Sequence, residues 1–147
     1  MAAGTGMRQS CITERRSVTT PSLVEAMLLV AASKLLLGIF GFERTWQWIQ
    51  RMTGHLPRLS GVDTAAVARA EYRVAMAAAL YPGRAACLER SLTLYWYLRR
   101  RGIGVDFRMG VQMYPFLAHA WLELDGQAIN DVPEHVRRFV PMPARLQ

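Results

Sequence analysis

Cysteine is scarce in this chain: 147 residues contain two, Cys11 and Cys87. Two cysteines cannot build the disulfide framework that staples small secreted domains, and no charged-then-apolar signal segment with a cleavage site precedes them. A reducing cytoplasm is therefore the expected compartment. The C-x-x-C and H-x-x-x-H spacings that usually anchor zinc are also missing. A zinc held by Cys87, His119 and Asp131 with an open fourth position is the weaker reading, and no metal and no cofactor is expected. Lys and Arg number 18 against 11 Asp and Glu, a net charge of +7. Apart from Arg99-Arg100-Arg101 and Arg137-Arg138 the basic residues are scattered, with no aromatic-interleaved stripe and no nucleic-acid motif. Nucleic acid is excluded as the expected partner, whereas an acidic peptide or an anionic membrane surface remains compatible. No internal repeat or low-complexity segment is present. With 52% hydrophobic residues, the chain has ample material for one packed core.

Residues 1–19 are rich in Gly, Ser and Thr and lack periodicity, which predicts a flexible tail carrying Cys11 as an accessible, non-catalytic thiol. Residues 20–147 are expected to form a single domain. From Pro21, read as a first-turn proline, residues 22–52 predict one long helix or two with a bend at Gly38–Gly41. The run LVEAMLLVAASKLLLGIFGF is about long enough to cross a bilayer, but Glu25 and Lys34 would each cost roughly 2.5–3.5 kcal/mol near its midplane. Helical phasing gathers Ser22, Glu25, Ser33, Glu43, Arg44, Gln47, Gln50 and Arg51 into one polar sector, which favours a buried or partner-facing helix. Association with a membrane surface stays open but is not favoured. After the break at Gly54-His55-Leu56-Pro57, Asp63 is the expected N-cap of an alanine-rich helix running to Leu80.

The chemistry concentrates between Cys87 and Asp131. Cys87 opens the run CLERSLTLYWYLRRRG, which stops at Gly102 and predicts a central, largely apolar helix with the thiol at its N-terminus. There the helix dipole favours a thiolate, and cysteine pKa values at such ends with a histidine nearby fall to roughly 3.5–7.5. Beyond Gly102 the period changes to 2, predicting a strand over 105–113 and another through AHAWLELD, where His119 and Trp121 leave the face carrying Ala118, Ala120, Leu122 and Leu124. A third strand bearing Asp131 should follow a hairpin at Asp125-Gly126. A two-residue loop would set Asp131 opposite Ala120 on the wrong face. A three-residue loop, Leu124-Asp125-Gly126, pairs His119 with Asp131 and is the expected register. Cys87, His119 and Asp131 then form a nucleophile, a base and its orienter. Gln112 is a candidate oxyanion donor beside the Cys87 N–H, and Trp121 a candidate substrate-groove or shielding residue. His135, among charged residues, is expected to be solvated. Helices first and sheet second predict an α+β fold.

The core motifs, with AHAW and its following acidic residue and the Asn130-Asp131 pair, resemble the leader peptidases of lasso-peptide biosynthesis, members of the transglutaminase-like cysteine peptidase superfamily. The resemblance covers about residues 22–131, and the family's triad falls on Cys87, His119 and Asp131. It implies a transglutaminase/papain-like fold and cytoplasmic removal of a leader peptide from a ribosomally made precursor, after which a separate lasso cyclase closes the ring. Transglutaminase or N-acyltransferase chemistry is the enzymatic alternative, and a non-catalytic peptide-binding domain the other. A leader-binding module needs about 80 residues, more than the helices and catalytic sheet leave free. A separate leader-binding protein is therefore an expected partner, docking on the apolar segment 22–52.

Overall fold

The computed structural model describes residues 19–59, 62–83 and 85–142; the expected tail, with Cys11, lies outside them apart from Thr19. Three long helices come first, α1 (Leu23–Thr53), α2 (Thr64–Leu80) and α3 (Cys87–Arg100). They are followed by β1 (Asp106–Gln112), β2 (Leu117–Leu124), the short β3 (Gln127–Ala128), a one-turn α4 (Pro133–Val136) and β4 (Val140–Pro141). The sheet is antiparallel with strand order β3-β2-β1-β4. This is the α+β arrangement expected, with α3 packed between α1, α2 and the sheet.

The first two helices start where a side chain satisfies an end N–H. Pro21 lies ahead of α1 and not in its first turn, and Ser22 caps the helix: its Oγ accepts from Glu25 N at 3.1 Å, worth about 1 kcal/mol. Asp63 caps α2 as expected, accepting from Ala65 N at 3.0 Å. The bend in α1 falls at Gly41, whose φ of 73° and ψ of 176° leave helical space altogether. From Ser91 to Arg99 every residue of α3 is buried, so the central helix is covered all round by α1, α2 and the sheet. Gly102, at φ 76°, ends it in a conformation that residues with a Cβ rarely adopt.

α1 departs from its helical-wheel expectation. Ser33 is fully buried and accepts from Thr93 Oγ1 of α3 at 3.0 Å, and Glu25 meets Arg101 at 3.2 Å. Part of the polar sector therefore faces the protein, because a small hydroxyl lets two helix backbones approach closely when its hydrogen bond is met. Leu28, Leu35, Ile39, Phe40 and Trp48 stay exposed instead. By length and composition α1 is apolar enough to cross a membrane, although Gly41 interrupts it.

The hairpin after β2 is tighter than expected. Leu124 pairs with Gln127 and Glu123 with Ala128, which leaves a two-residue loop. Both loop residues have positive φ, Asp125 at 51° and Gly126 at 80°, the requirement of the two-residue hairpin turn whose twist matches the strands. The three-residue register is thus overturned, and so is the third strand through Asp131, since β3 ends at Ala128.

Candidate active site

Cys87 is the first residue of α3, after Ala86 in extended backbone with no side-chain cap on the helix end. The thiol is half-buried. One turn on, and on the same face of the helix, the buried Ser91 Oγ donates to Ala120 O at 2.9 Å. Ala120 is the neighbour of His119. β3 pairs only with Glu123 and Leu124, so residues 117–120 of β2 have no strand on that side among the described residues. The first turns of α3 are tied to this open edge.

His119 lies on the sheet face opposite the aliphatic residues, as its alternation predicts. Its Nε2 meets Asp131 Oδ2 at 2.5 Å. Nδ1 is then the ring nitrogen left to serve a thiol. The contact stands even though the register that motivated it does not. Ile129 N makes the last ladder bond, to Leu122 O at 3.0 Å; beyond it the chain leaves the sheet, and Asp131 is freed from the strand's up-down alternation. His119 stacks on Trp121 with centroids 6.0 Å apart and packs on Phe139 at 5.0 Å. Gly110, paired with His119 across the sheet, makes room for this packing: a Cβ there would stand 2.9 Å from Phe139 Cβ and 3.0 Å from the Trp121 ring.

Asn130 repairs the ladder where the backbone departs. Its Oδ1 accepts from Leu122 N at 2.7 Å and its Nδ2 donates to Ser91 Oγ at 2.8 Å. One side chain thus replaces a strand carbonyl and pins α3 to the sheet. Asn130→Ala should cost about 1–3 kcal/mol, because it leaves the Leu122 N–H without an acceptor and the Ser91 hydroxyl without its donor. The check is a urea denaturation curve with a lower midpoint and unchanged slope.

Burial pushes the Asp131 carboxyl up, but hydrogen bonds from His135, Val132 N and His119, with the charge of His135, outweigh it and hold the group below its ordinary 3.8. A carboxyl lowered on folding adds stability that is complete above its unfolded value and is lost as pH falls through the folded one. Asp131 is therefore ionised throughout the neutral range.

A model of the transglutaminase-like superfamily matches residues 28–144. The chain belongs to this superfamily. A 47-residue stretch, 32% of this chain, is 43% identical to the microcin J25-processing protein McjB of Escherichia coli. It spans 23% of that protein's length. No solved structure matches.

Within this transglutaminase-like domain, the side chains of Trp121 and Gln112 are both hydrogen-bonded to near neighbours in sequence. Trp121 is 1% exposed and its Nε1 donates to Glu123 Oε1 at 3.0 Å; it backs the His119 ring. Gln112 Nε2 donates to Tyr114 O at 3.0 Å, in the β1–β2 turn. His135, expected to be solvated, instead lies 2.7 Å by its Nδ1 from Asp131 Oδ2. The sequence did carry a signal for it: Asp131 and His135 are four apart with Pro133 between, the pattern of a proline-started turn. His119, Asp131 and His135 each offer a ligand atom, all within 4.8 Å of one another, a trio that replaces the Cys87-containing set considered from sequence. Their contacts of 2.5 and 2.7 Å are hydrogen-bond lengths. Two ligand atoms on a tetrahedral zinc, with bonds near 2.0 Å, stand about 3.3 Å apart.

Proposed function

We propose that the protein is a cysteine peptidase that removes the leader from a ribosomally made lasso-peptide precursor, with Cys87 as nucleophile, His119 as acid–base and Asp131 as orienter. The observation that carries the reading is the His119 Nε2–Asp131 Oδ2 bond, formed beside the strand edge to which α3, with Cys87 at its start, is pinned. The pathway assignment draws support from the stretch similar to McjB.

In this mechanism Cys87 Sγ, as thiolate, attacks the scissile carbonyl carbon and its electron pair moves onto the oxygen. The uncapped start of α3 supplies the Cys87 N–H as one oxyanion donor. As the tetrahedral centre collapses, the C–N bond breaks and His119 passes its proton to the departing amine. His119 then takes a proton from water, whose oxygen attacks the thioester, and the acid leaves as the thiolate is regenerated. Asp131 keeps the imidazole oriented throughout.

The reading places the protein in the cytoplasm, with a separate leader-binding protein as partner and the lasso cyclase acting next. The exposed apolar residues of α1 support that docking, as does a groove of about 430 Å³ whose walls include Leu36, Phe40 and Trp48.

Incubating the protein with a leader–core precursor peptide, its leader-binding protein and an excess of a primary amine tests the assignment. Hydrolytic cleavage is the expected result. An amide-exchanged product would show acyl transfer to amines instead, and intact bound peptide a non-catalytic module. Cys87→Ala should abolish turnover while leaving the melting curve in place.

A further inference from the structure

Asp131 sits past the end of the sheet, so no ladder bond fixes it. A carboxylate on such a connection holds a catalytic histidine only if its own rotamer is fixed. Val132 N donates to Oδ1 at 2.7 Å, which sets one oxygen. The other, Oδ2, lies between two imidazoles: His119 Nε2 at 2.5 Å and His135 Nδ1 at 2.7 Å. His135 is well placed for this. It stands four residues after Asp131, on the single turn of α4 that Pro133 begins, and its ring meets Phe139 edge-on at 5.3 Å. Phe139 also packs on His119 at 5.0 Å, so one aromatic side chain sets the spacing of both histidines.

We infer that His135 is a positioning residue of this site: its Nδ1–H donates to Asp131 Oδ2 and locks the carboxylate in the orientation that receives His119 Nε2–H. The inference rests on the peptidase reading for its consequence in turnover, but the positioning itself concerns only this chain. It turns a three-member site into one of four, in the order Cys87, His119, Asp131, His135. The lowered Asp131 carboxyl, with the His135 bond the largest influence opposing burial, agrees with that order.

The test uses two amides that differ in reach. An asparagine amide nitrogen overlays histidine Nδ1, whereas that of glutamine overlays Nε2, so H135N keeps the donor on Asp131 and H135Q displaces it. H135Q is expected to lower kcat on a leader–core precursor by about 10–100-fold, the usual cost of losing a supporting partner, with KM little changed. H135N should recover most of that loss. A second readout needs no substrate: the rate at which iodoacetamide alkylates Cys87, followed by peptide mapping to separate it from Cys11. In this reaction the S–C bond forms as iodide leaves, and the rate follows the thiolate population that an oriented imidazole sustains. It should fall in H135Q and return in H135N. Should the wild-type chain not turn over, the peptidase reading fails and alkylation alone decides the role of His135. Equal rates in wild type, H135N and H135Q would overturn the inference, as would equal impairment of the two variants.

Discussion

Asp131→Asn is expected to lower kcat by about 10³–10⁴-fold while leaving the fold intact, in line with the mis-set tautomer of serine triads. The hydrogen bonds around this side chain dictate the direction. Val132 N donates to Oδ1 at 2.7 Å, so an asparagine must keep its carbonyl there and turn its amide toward the two histidines. The group facing His119 Nε2 then changes from acceptor to donor. His119 can answer only by giving up the proton on Nε2 and carrying it on Nδ1, the nitrogen that has to accept the thiol proton. The geometry survives and the chemistry is inverted. Asp125→Asn is the control: Asp125 is an exposed turn residue at φ 51°, a conformation asparagine tolerates well, and its rate should match wild type. Steady-state kinetics on the precursor peptide, with melting curves for both variants, distinguishes the cases. A full-rate Asp131→Asn would remove Asp131 from the mechanism.

The contrast between those two aspartates shows where sequence reasoning reaches and where it stops. Cys87 at a helix start was legible because two independent signals bound the helix: an apolar 3.6-residue period, and Gly102, whose φ of 76° suits few other residues. His119 was legible from strict alternation, which a sheet with one buried face enforces. The pairing of His119 with Asp131 was reached through a wrong register. Asp125-Gly126 permits either loop length, and the three-residue loop follows only where Asp131 continues a strand. In fact the strand ends at Ala128 and Asn130 substitutes its side chain for the ladder, an event with no periodic signature. His135 was missed for a related reason. Its contact depends on a four-residue helix, too short for any period to register. For α1, phasing identified which residues are polar but not that Glu25 and Ser33 find partners on α3 and beside it, because partner positions are a property of packing.

Those packed helices depend on a buried cation at the far end of α3. Arg99 is 3% exposed, and its guanidinium donates to three backbone carbonyls: Thr53 O at 3.0 Å, Leu56 O at 3.4 Å and Ile103 O at 3.4 Å. Thr53 is the last residue of α1, where the helix dipole presents its negative end. The other two lie in the turn after α1 and in the segment joining α3 to β1. One rigid fork therefore ties three chain segments together and supplies the donor to Leu56 O and Ile103 O. Arg99→Met keeps much of the aliphatic volume but removes the donor to Leu56 O and Ile103 O and leaves Thr53 O with the Leu56 N–H at 3.1 Å. At about 1–3 kcal/mol for each buried unsatisfied group, partly relieved by water reaching the end of α1, a loss of about 2 kcal/mol or more is expected. Arg99→Lys should recover only part of it, since a single ammonium on a flexible stem cannot span the three acceptors. Arg100→Met, on an exposed neighbour, should change stability by less than about 0.5 kcal/mol. Urea unfolding of the three variants provides the comparison. If Arg99→Met shifts the midpoint no more than Arg100→Met, the fork holds nothing together.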